Sequence, residues 1–352
     1  MALEQFATYR EIKSQTRAWE QAIHVWDEVD LPEAAEKYDQ TIFTGCGSTY
    51  YLSLAAAALY QELTGCAARA VPASELLLNP QSVVPQTGNS HCAELQRSSP
   101  DCLLVAISRS GTTTETVKAV EQFKEQHLGE VVVISNYDGM LAQLADIPVV
   151  IDEGQEESVA QTRSFASMYL AAMVFCVRMA DRTDLLDRIP SLPAIGERLI
   201  RDFEPVAREM GENLDFDRFY FLGSGIRYGL ACEANLKMKE MTLTHSEPFH
   251  FLEFRHGPMS MVNEKAVIVG LVSESNSSHE KVVLNEMQAL GGKIMALGES
   301  DVDIAFESGI PESARGVLYL PILQLMAFYR SLAKGLNPDR PKNLESVVRL
   351  DL

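Results

Sequence analysis

Three charged residues on one predicted helix have the types and the spacing that proton transfer requires. Glu233, Lys237 and Glu240 fall at i, i+4 and i+7, within roughly 60° of one another around a helix. A carboxylate beside an ammonium can take a proton from one carbon and return it to the next. An exposed Glu-Lys pair would instead be an ordinary stabilising contact. Apolar residues on both sides of the stripe favour an inward-facing functional set, with Asn235 and Lys239 on the solvent face.

A polar loop at residues 108–115 is a second candidate. It follows an apolar run and precedes a predicted helix beginning near Thr112. Its hydroxyls, the helix N-terminus, Gly111 and Arg109 suit an anion such as phosphate. A turn capped by Thr112 or Thr113 has the same composition. Composition alone therefore leaves both interpretations open.

Histidines and glutamates cluster downstream: His245, Glu247, His250, Glu253 and His256. The spacings H-x4-H and H-x5-H match no zinc motif, so we expect no metal. Pro258 marks a loop, where His256 is available as an acid or base. A loop histidine can equally be only solvated.

Short β-branched runs alternate with helix-period segments. The predicted strands are 41–44, 103–107, 131–134, 149–151, 219–222, 266–271 and 293–297, and the predicted helices are 48–63, 113–127, 157–181, 194–211 and 228–243. Strands separated by helices form parallel sheets. Ligands bind at the carboxyl edge of such sheets, which is where the loop at 108–115 falls.

The second half of the chain repeats the order of the first. Residues 43–48 align with 221–226, and residues 108–115 align with 273–280. We therefore expect a duplicated doubly wound α/β domain. The second loop carries Glu274 where the first carries Arg109, and a carboxylate there would oppose a bound phosphate. The alignment predicts one phosphate site per chain.

The composition sets limits on partners and location. The 352 residues suffice for two domains, and 49 acidic against 30 basic residues give a formal net charge of -19. That charge repels nucleic acid and anionic lipid alike, so we expect neither as a partner. The absence of C-x-x-C pairs, of a signal peptide and of an 18-residue apolar run predicts a cytoplasmic protein.

The turn at 45–49, the loop at 108–113, the charged stripe and His256-Gly257-Pro258 together resemble the sugar-isomerase (SIS) family. The resemblance is to the isomerase half of glutamine:fructose-6-phosphate amidotransferases, from about residue 8 to the C-terminus. It implies two tandem, flavodoxin-like SIS domains with parallel sheets, at 31–190 and 200–340. A helical segment at 1–30 would precede them, and a tail at 341–352 would follow.

The resemblance also implies roles for individual residues, without metal or cofactor. The phosphate would be held by Thr49, Ser108, Arg109, Ser110 and Thr113, with Ser48, Val159 and Gln161 near the sugar. In the catalytic set, which includes Glu233, Glu240 would shuttle the proton between C1 and C2, Lys237 would assist it and His256 would open the ring. The family takes this histidine from the neighbouring subunit, which implies a homodimer with a shared active site and a small sugar phosphate as ligand.

Two departures from the family pattern bear on the reaction. Nothing in residues 1–40 could replace the family's glutaminase domain, so we expect no glutamine hydrolysis. The lysine expected after Asn343-Leu344 is Ser346 here, so the family's Schiff-base lysine is missing.

Three functions stay open. An isomerase or deaminase would act on a ketose or hexosamine 6-phosphate. A deglycase would act on a fructosyl-amino-acid 6-phosphate, whose own amine makes a lysine at 346 unnecessary. A sugar-phosphate sensor would bind without turnover.

Overall fold

The computed structural model describes residues 2–84, 101–345, 347 and 350, and the chain packs as two compact units. One, the first-sheet unit, comprises Gln21–Gln155, Ser167–Leu186 and Val347–Leu352. The other, the second-sheet unit, comprises Met1–Glu20, Glu156–Ala166 and Asp187–Ser346. The predicted domain limits, which follow chain order, stay predictions.

The first sheet is parallel and has the strand order β2-β1-β3-β4-β5. Its strands are β1 (Gln40–Gly45), β2 (Ala68–Pro72), β3 (Cys102–Ser108), β4 (Gly129–Ser135) and β5 (Ile147–Val150). The helices up to residue 186 are α1 (Ala7–His24), α2 (Ser48–Thr64), α3 (Ala73–Leu78), α4 (Pro80–Val83), α5 (Thr114–Glu125), α6 (Met140–Leu144), α7 (Arg163–Met179) and α8 (Thr183–Leu186). The order reverses between β1 and β3, and the carboxyl ends of those two strands open the crevice in which such sheets bind ligands.

The second sheet is also parallel, with the order β10-β9-β8-β6-β7. Its strands are β6 (Arg218–Leu222), β7 (His245–Phe249), β8 (Ala266–Leu271), β9 (Lys293–Gly298) and β10 (Ile304–Ala305). The helices after residue 186 are α9 (Leu192–Glu212), α10 (Ile226–Thr242), α11 (Ser277–Ala289) and α12 (Leu320–Ala333). When the strands of each sheet are numbered from 1 in chain order, both sheets have the flavodoxin-like order 2-1-3-4-5. The predicted fold class, two tandem doubly wound domains, is confirmed.

The central strands are the ones that composition identified. All residues of β3 and β8 are buried, as continuous apolar runs in parallel sheets should be. Three strands, β2, β7 and β10, were not predicted, and β10 has only two residues. Both β2 and β7 are edge strands with exposed or half-buried polar residues and a proline, Pro72 and Pro248. An edge strand tolerates a proline and lacks an apolar run, so neither produced a signal.

The predicted helix at 157–181 was wrong at its start, because α7 begins only at Arg163. The carboxylate of Glu156 accepts hydrogen bonds from the Thr162 amide at 2.7 Å, from the Thr162 hydroxyl at 2.8 Å and from the Ser164 hydroxyl. These bonds satisfy groups at the helix start. Residues 156–161 remain irregular, and they carry two predicted site residues, Val159 and Gln161.

The expectation that no 18-residue apolar stretch occurs was also wrong. Residues Gly316–Ala333 are long and apolar enough to cross a membrane by length and composition. Gln324 and Arg330 lie within this stretch. Since 89% of the stretch is buried inside the protein, it fits a core helix.

Candidate active site

The loop after β3 is held by hydrogen bonds between residues two or three apart in the sequence. The hydroxyl of Ser108 accepts a bond from the Gly111 amide at 3.2 Å, and the Ser110 hydroxyl accepts one from the Thr112 amide at 3.2 Å. Gly111 has a φ of 64°, and a Cβ there would lie 3.2 Å from the Cα of Gly139. A side chain at position 111 would therefore strain this close approach.

The structure bears on the capped-turn interpretation of the loop. Helix α5 begins at Thr114, two residues later than expected, and Thr113 holds the N-cap position without a side-chain capping bond. The Thr113 hydroxyl lies 3.4 Å from the Ser108 hydroxyl instead. A side-chain cap from Thr113 is therefore absent, and anion binding by this loop stays a prediction.

Arg109 is buried, with 7% of its surface exposed. Its backbone carbonyl accepts a hydrogen bond from the amide of Asn136 at 3.1 Å. Asn136 is fully buried, and its side chain donates to the Ile151 carbonyl at 3.0 Å. Sequence reasoning missed Asn136 as a support of the loop, although its place directly after β4, at the carboxyl edge, was a usable signal.

The turn between β1 and α2 lies at the same edge of the first sheet, since Thr44 pairs with Ala106 across β1 and β3. Gly47 adopts a φ of 57°, and Ser48 and Thr49 behind it are buried. The Thr49 hydroxyl donates to the Cys46 carbonyl at 3.0 Å and accepts from the Cys46 amide at 2.9 Å. Ser48 and Thr49 therefore lie beside the loop, with the Thr49 hydroxyl already engaged in the turn.

In the second-sheet unit, α10 brings the charged stripe together. The Lys237 ammonium lies 2.5 Å from a Glu240 carboxylate oxygen and 3.4 Å from a Glu233 carboxylate oxygen. The side chains of Lys237 and Glu233 are each 2% exposed, whereas that of Glu240 is 20% exposed. The stripe points inward, as predicted, and Glu240 is the member that a small molecule can reach.

Electrostatics keep Lys237 charged. Burial lowers the pKa of Lys237, but the charges of Glu233 and Glu240 raise it by more, so that the pKa lies above its ordinary value. A protonated ammonium cannot act as a base. It can hold a neighbouring carboxylate in its ionised form and stabilise negative charge on a ligand.

The assignment of Asn235 to the solvent face was wrong. Asn235 is 3% exposed, while Lys239 is exposed as expected. The reason is the unpredicted strand β7, which packs on this side of α10: the Ser246 hydroxyl donates to the Asn235 carbonyl at 3.1 Å. Sequence periodicity could not include a packing partner that it did not detect.

The irregular segment at 156–162 is fixed from two sides within the second-sheet unit. Glu11 of α1 accepts bonds from the amides of Glu157 and Ser158 at 2.6 and 3.3 Å. The Val159 amide donates to the Asp339 carbonyl at 3.0 Å. The Oε1 atom of Gln161 is buried without a hydrogen-bond partner among the described residues.

The histidines lie apart from one another in the described part of the chain. Within the described ranges no group of three or more His, Cys, Asp or Glu side chains could hold one. His250 stacks on Tyr228 with ring centroids 3.9 Å apart, and burial lowers its pKa. His256 is exposed, next to Gly257 at a φ of 120°.

The predicted site residues fall into two groups. The first-sheet unit contains the loop at 108–115, called the phosphate loop below, together with Ser48 and Thr49. The second-sheet unit contains the ion triad, which is Glu233, Lys237 and Glu240, together with Val159, Gln161 and His256. Ser346, the position of the missing lysine, lies outside the described residues. Each residue's role remains a prediction.

Comparison with known proteins identifies the family to which this chain belongs. The SIS domain model matches residues 36–178 and 215–309. The chain is 30% identical to the glutamine–fructose-6-phosphate aminotransferase of Pyrococcus horikoshii, over 97% of this chain but only 57% of that protein.

Two solved structures share the fold over almost the whole chain. The glucosamine-6-phosphate deaminase of Thermotoga maritima has a TM-score of 0.79 and 25% identity, covering 98% of this chain and 100% of that one. The tagatose-6-phosphate ketose/aldose isomerase of Escherichia coli has a TM-score of 0.80 and 21% identity, covering 100% and 99%. The chain therefore belongs to the SIS domain family and is homologous to the isomerase half of the glutamine–fructose-6-phosphate aminotransferases.

Proposed function

We propose that the chain is a cytoplasmic enzyme that isomerises or deaminates a ketose or hexosamine 6-phosphate. The observation that carries the proposal is the ion triad on α10. A buried ammonium with two carboxylates, of which one is partly exposed, is the arrangement that aldose-ketose proton transfer needs. The proposed reaction involves no hydrolysis of glutamine.

In the proposed mechanism Glu240 takes the proton from one carbon of the open-chain sugar and returns it to its neighbour. Lys237, kept protonated by its two glutamates, holds Glu240 in position and stabilises the developing negative charge on the sugar oxygen. Glu233, which is almost fully buried, offsets the charge of Lys237. Gln161 is assigned to the sugar by the family resemblance alone.

A phosphate group is assigned to the loop after β3. The N-terminus of α5, the hydroxyls of Ser108, Ser110 and Thr113, and Arg109 supply the donors. Holding the phosphate fixes the reacting carbons and lowers the entropic part of the barrier. Val159 and Ser48 are assigned to the sugar by the family resemblance alone.

A second candidate, favoured by Ser346 in the sequence, is a deglycase for fructosyl-amino-acid 6-phosphates. That substrate brings its own amine, so no lysine is required at 346. Glu240 would serve as the base in both reactions. The two candidates therefore differ in substrate rather than in the catalytic carboxylate.

A substrate panel separates these functions. The chain is incubated with glucosamine 6-phosphate, with fructose 6-phosphate and with a fructosyl-lysine 6-phosphate, and the released ammonia, the aldose phosphate and the free amino acid are measured. Ammonia or aldose phosphate supports the first proposal, and free lysine supports the second. Binding of these compounds without any product would overturn both and leave a sugar-phosphate sensor.

We also propose a homodimer in which His256 acts in the neighbouring subunit. His256 lies exposed between two short 3-10 helices, Glu253–Arg255 and Pro258–Met261, in a segment that also exposes Leu252 and Met261, 51% and 53% accessible. Exposed apolar residues beside an exposed histidine are suited to a subunit contact. The histidine would open the sugar ring before proton transfer.

A further inference from the structure

The loop after β8, in the second-sheet unit, has the same internal geometry as the phosphate loop. The Ser273 hydroxyl accepts a bond from the Asn276 amide at 2.9 Å, where Ser108 accepts one from Gly111 at 3.2 Å. Helix α11 begins directly after it, at Ser277. The alignment of the two halves predicted that this copy lost its anion chemistry through Glu274.

The structure gives a different reason for the difference between the copies. The Glu274 side chain is turned to Arg315, with an ion pair of 2.7 Å. The backbone amides of Glu274 and Ser275 both donate to one carboxylate oxygen of Glu312, each at 3.1 Å. The loop therefore presents its amides to an anion, and that anion is a side chain of the same chain.

A cation completes the arrangement around Glu312. Its second carboxylate oxygen accepts a bond from Arg227, which is 5% exposed. Arg227 occupies the position that Thr49 holds in the first copy, behind a glycine of matching conformation: Gly225 has a φ of 58° and Gly47 one of 57°. The Nε atom of Arg227 is buried without a hydrogen-bond partner among the described residues.

These contacts differ from an ordinary surface ion pair. Two consecutive backbone amides of the loop before α11 and a buried guanidinium converge on one carboxylate, and this donor set also binds phosphate groups. One amide is not available, because Ser273 donates both its amide and its hydroxyl to Glu280, at 2.6 and 2.9 Å.

We propose that this loop is a second oxyanion site whose resident anion is the Glu312 carboxylate. The site takes a tetrahedral oxyanion of the phosphate class once Glu312 is removed. The inference is independent of the proposed function, since it concerns donors of the second sheet alone. It implies that the duplication kept the anion chemistry and replaced the ligand.

Hydrogen exchange of the peptide covering residues 273–276 tests the proposal directly. In Glu312→Ala the amides of residues 274 and 275 lose their acceptor, and their exchange should become roughly tenfold faster. Addition of 100 mM inorganic phosphate, at ionic strength held constant with chloride, should restore the slow exchange. In the wild type and in Glu286→Ala, which removes an exposed partner of Arg255, phosphate should leave this peptide unchanged.

Two results would overturn the proposal: slow exchange that persists in Glu312→Ala without phosphate, or fast exchange that phosphate does not slow. If Glu312→Ala does not fold, Glu312→Ser supplies the same comparison, because its side chain is too short to reach the amides of residues 274 and 275; exchange should again accelerate and phosphate should again slow it. Exchange at residues 108–113 is read in the same experiment. A phosphate effect missing only there would count against the proposed function and not against this inference.

Discussion

Lys237 is 1% exposed, and its ammonium lies 2.5 Å from a carboxylate oxygen of Glu240. A charge is tolerated at this depth only when it is paired, and Glu240 is the partner with access to solvent. This geometry makes Glu240 the candidate base and Lys237 its fixed counter-charge.

Glu240→Gln should abolish turnover while leaving sugar-phosphate binding within a few-fold of the wild type. Removal of a positioned base costs about 10²–10⁴-fold in rate, and the amide keeps the size of the side chain. Steady-state kinetics on the active substrate of the panel, with binding measured by calorimetry, give both numbers. Glu209→Gln, an exposed glutamate of α9, is the matched control; turnover equal to the control would end the assignment of Glu240.

Lys237→Met should destabilise the second-sheet unit by about 3–5 kcal/mol at pH 7, because Glu233 and Glu240 lose the charge between them. In the wild type the raised pKa of Lys237 means that its contribution is complete at neutral pH and is lost only as the pH rises through that pKa. In the variant the two carboxylates gain stability by protonation, so the difference should shrink on acidification. Thermal unfolding at pH 5, 7 and 8 measures it, with the exposed Lys239→Met as control.

Arg109→Glu copies the second loop into the first and should weaken sugar-phosphate binding by about 10²-fold or more, since a carboxylate replaces the loop's buried cation. Calorimetric titration with the substrate measures the loss. Lys118→Glu makes the same charge change on the exposed face of α5 and should bind normally. Equal affinity in both variants would place the phosphate elsewhere. Arg109 is buried, and a glutamate there could unfold the protein. Arg109→Gln is therefore a milder variant, and its binding is compared with that of the wild type once both are shown to be folded.

The sequence predicted those strands and helices whose own residues carry a clear apolar run or helical period. The apolar runs of β3 and β8 identify central strands, and the period of α10 places Glu233, Lys237 and Glu240 on one inward face. The strands β2 and β7 were missed because edge strands carry no continuous apolar run. The burial of Asn235 followed from β7 and was missed with it.

Contacts between distant segments were beyond sequence reasoning for a different physical reason. Glu312 accepts hydrogen bonds from two backbone amides that lie 38 and 37 residues away in the sequence. Glu11 accepts one from the Glu157 amide, 146 residues away in the sequence. A single carboxylate carries no periodicity, so nothing local distinguishes these glutamates from solvated ones. Only the folded chain shows which donors converge on each of them.

Glu204 joins α1, α9 and α12 and should contribute pH-dependent stability to the second-sheet unit. It accepts hydrogen bonds from Tyr9 at 2.8 Å, from Tyr329 at 2.6 Å and from Lys13 at 2.6 Å. Burial raises the pKa of Glu204, but these bonds lower it by more, so that it lies below its ordinary value of 4.5.

Glu204→Gln should therefore cost about 1 kcal/mol at pH 7, a modest value because the site is partly open to solvent. A lowered pKa contributes stability that is present above pH 4.5 and is lost as the pH falls through the folded-state pKa. The difference between wild type and variant should thus be constant from pH 5 to 8 and shrink below pH 4.5. Urea unfolding across this range measures it, and a difference that grows on acidification would contradict the assignment.

Mixing two inactive variants tests whether His256 acts across a subunit contact. Glu240→Gln and His256→Ala are each expected to be inactive, but in a mixed dimer one site combines the intact Glu240 of one subunit with the intact His256 of the other. Random exchange of subunits should restore about a quarter of the wild-type activity. If His256 serves its own chain, each mixed dimer has two defective sites, and no activity returns. The control mixes the double variant Glu240→Gln/His256→Ala with wild type. If the site is shared between subunits, a mixed dimer of this control has no intact site. If each subunit has its own complete site, the mixed dimer has one.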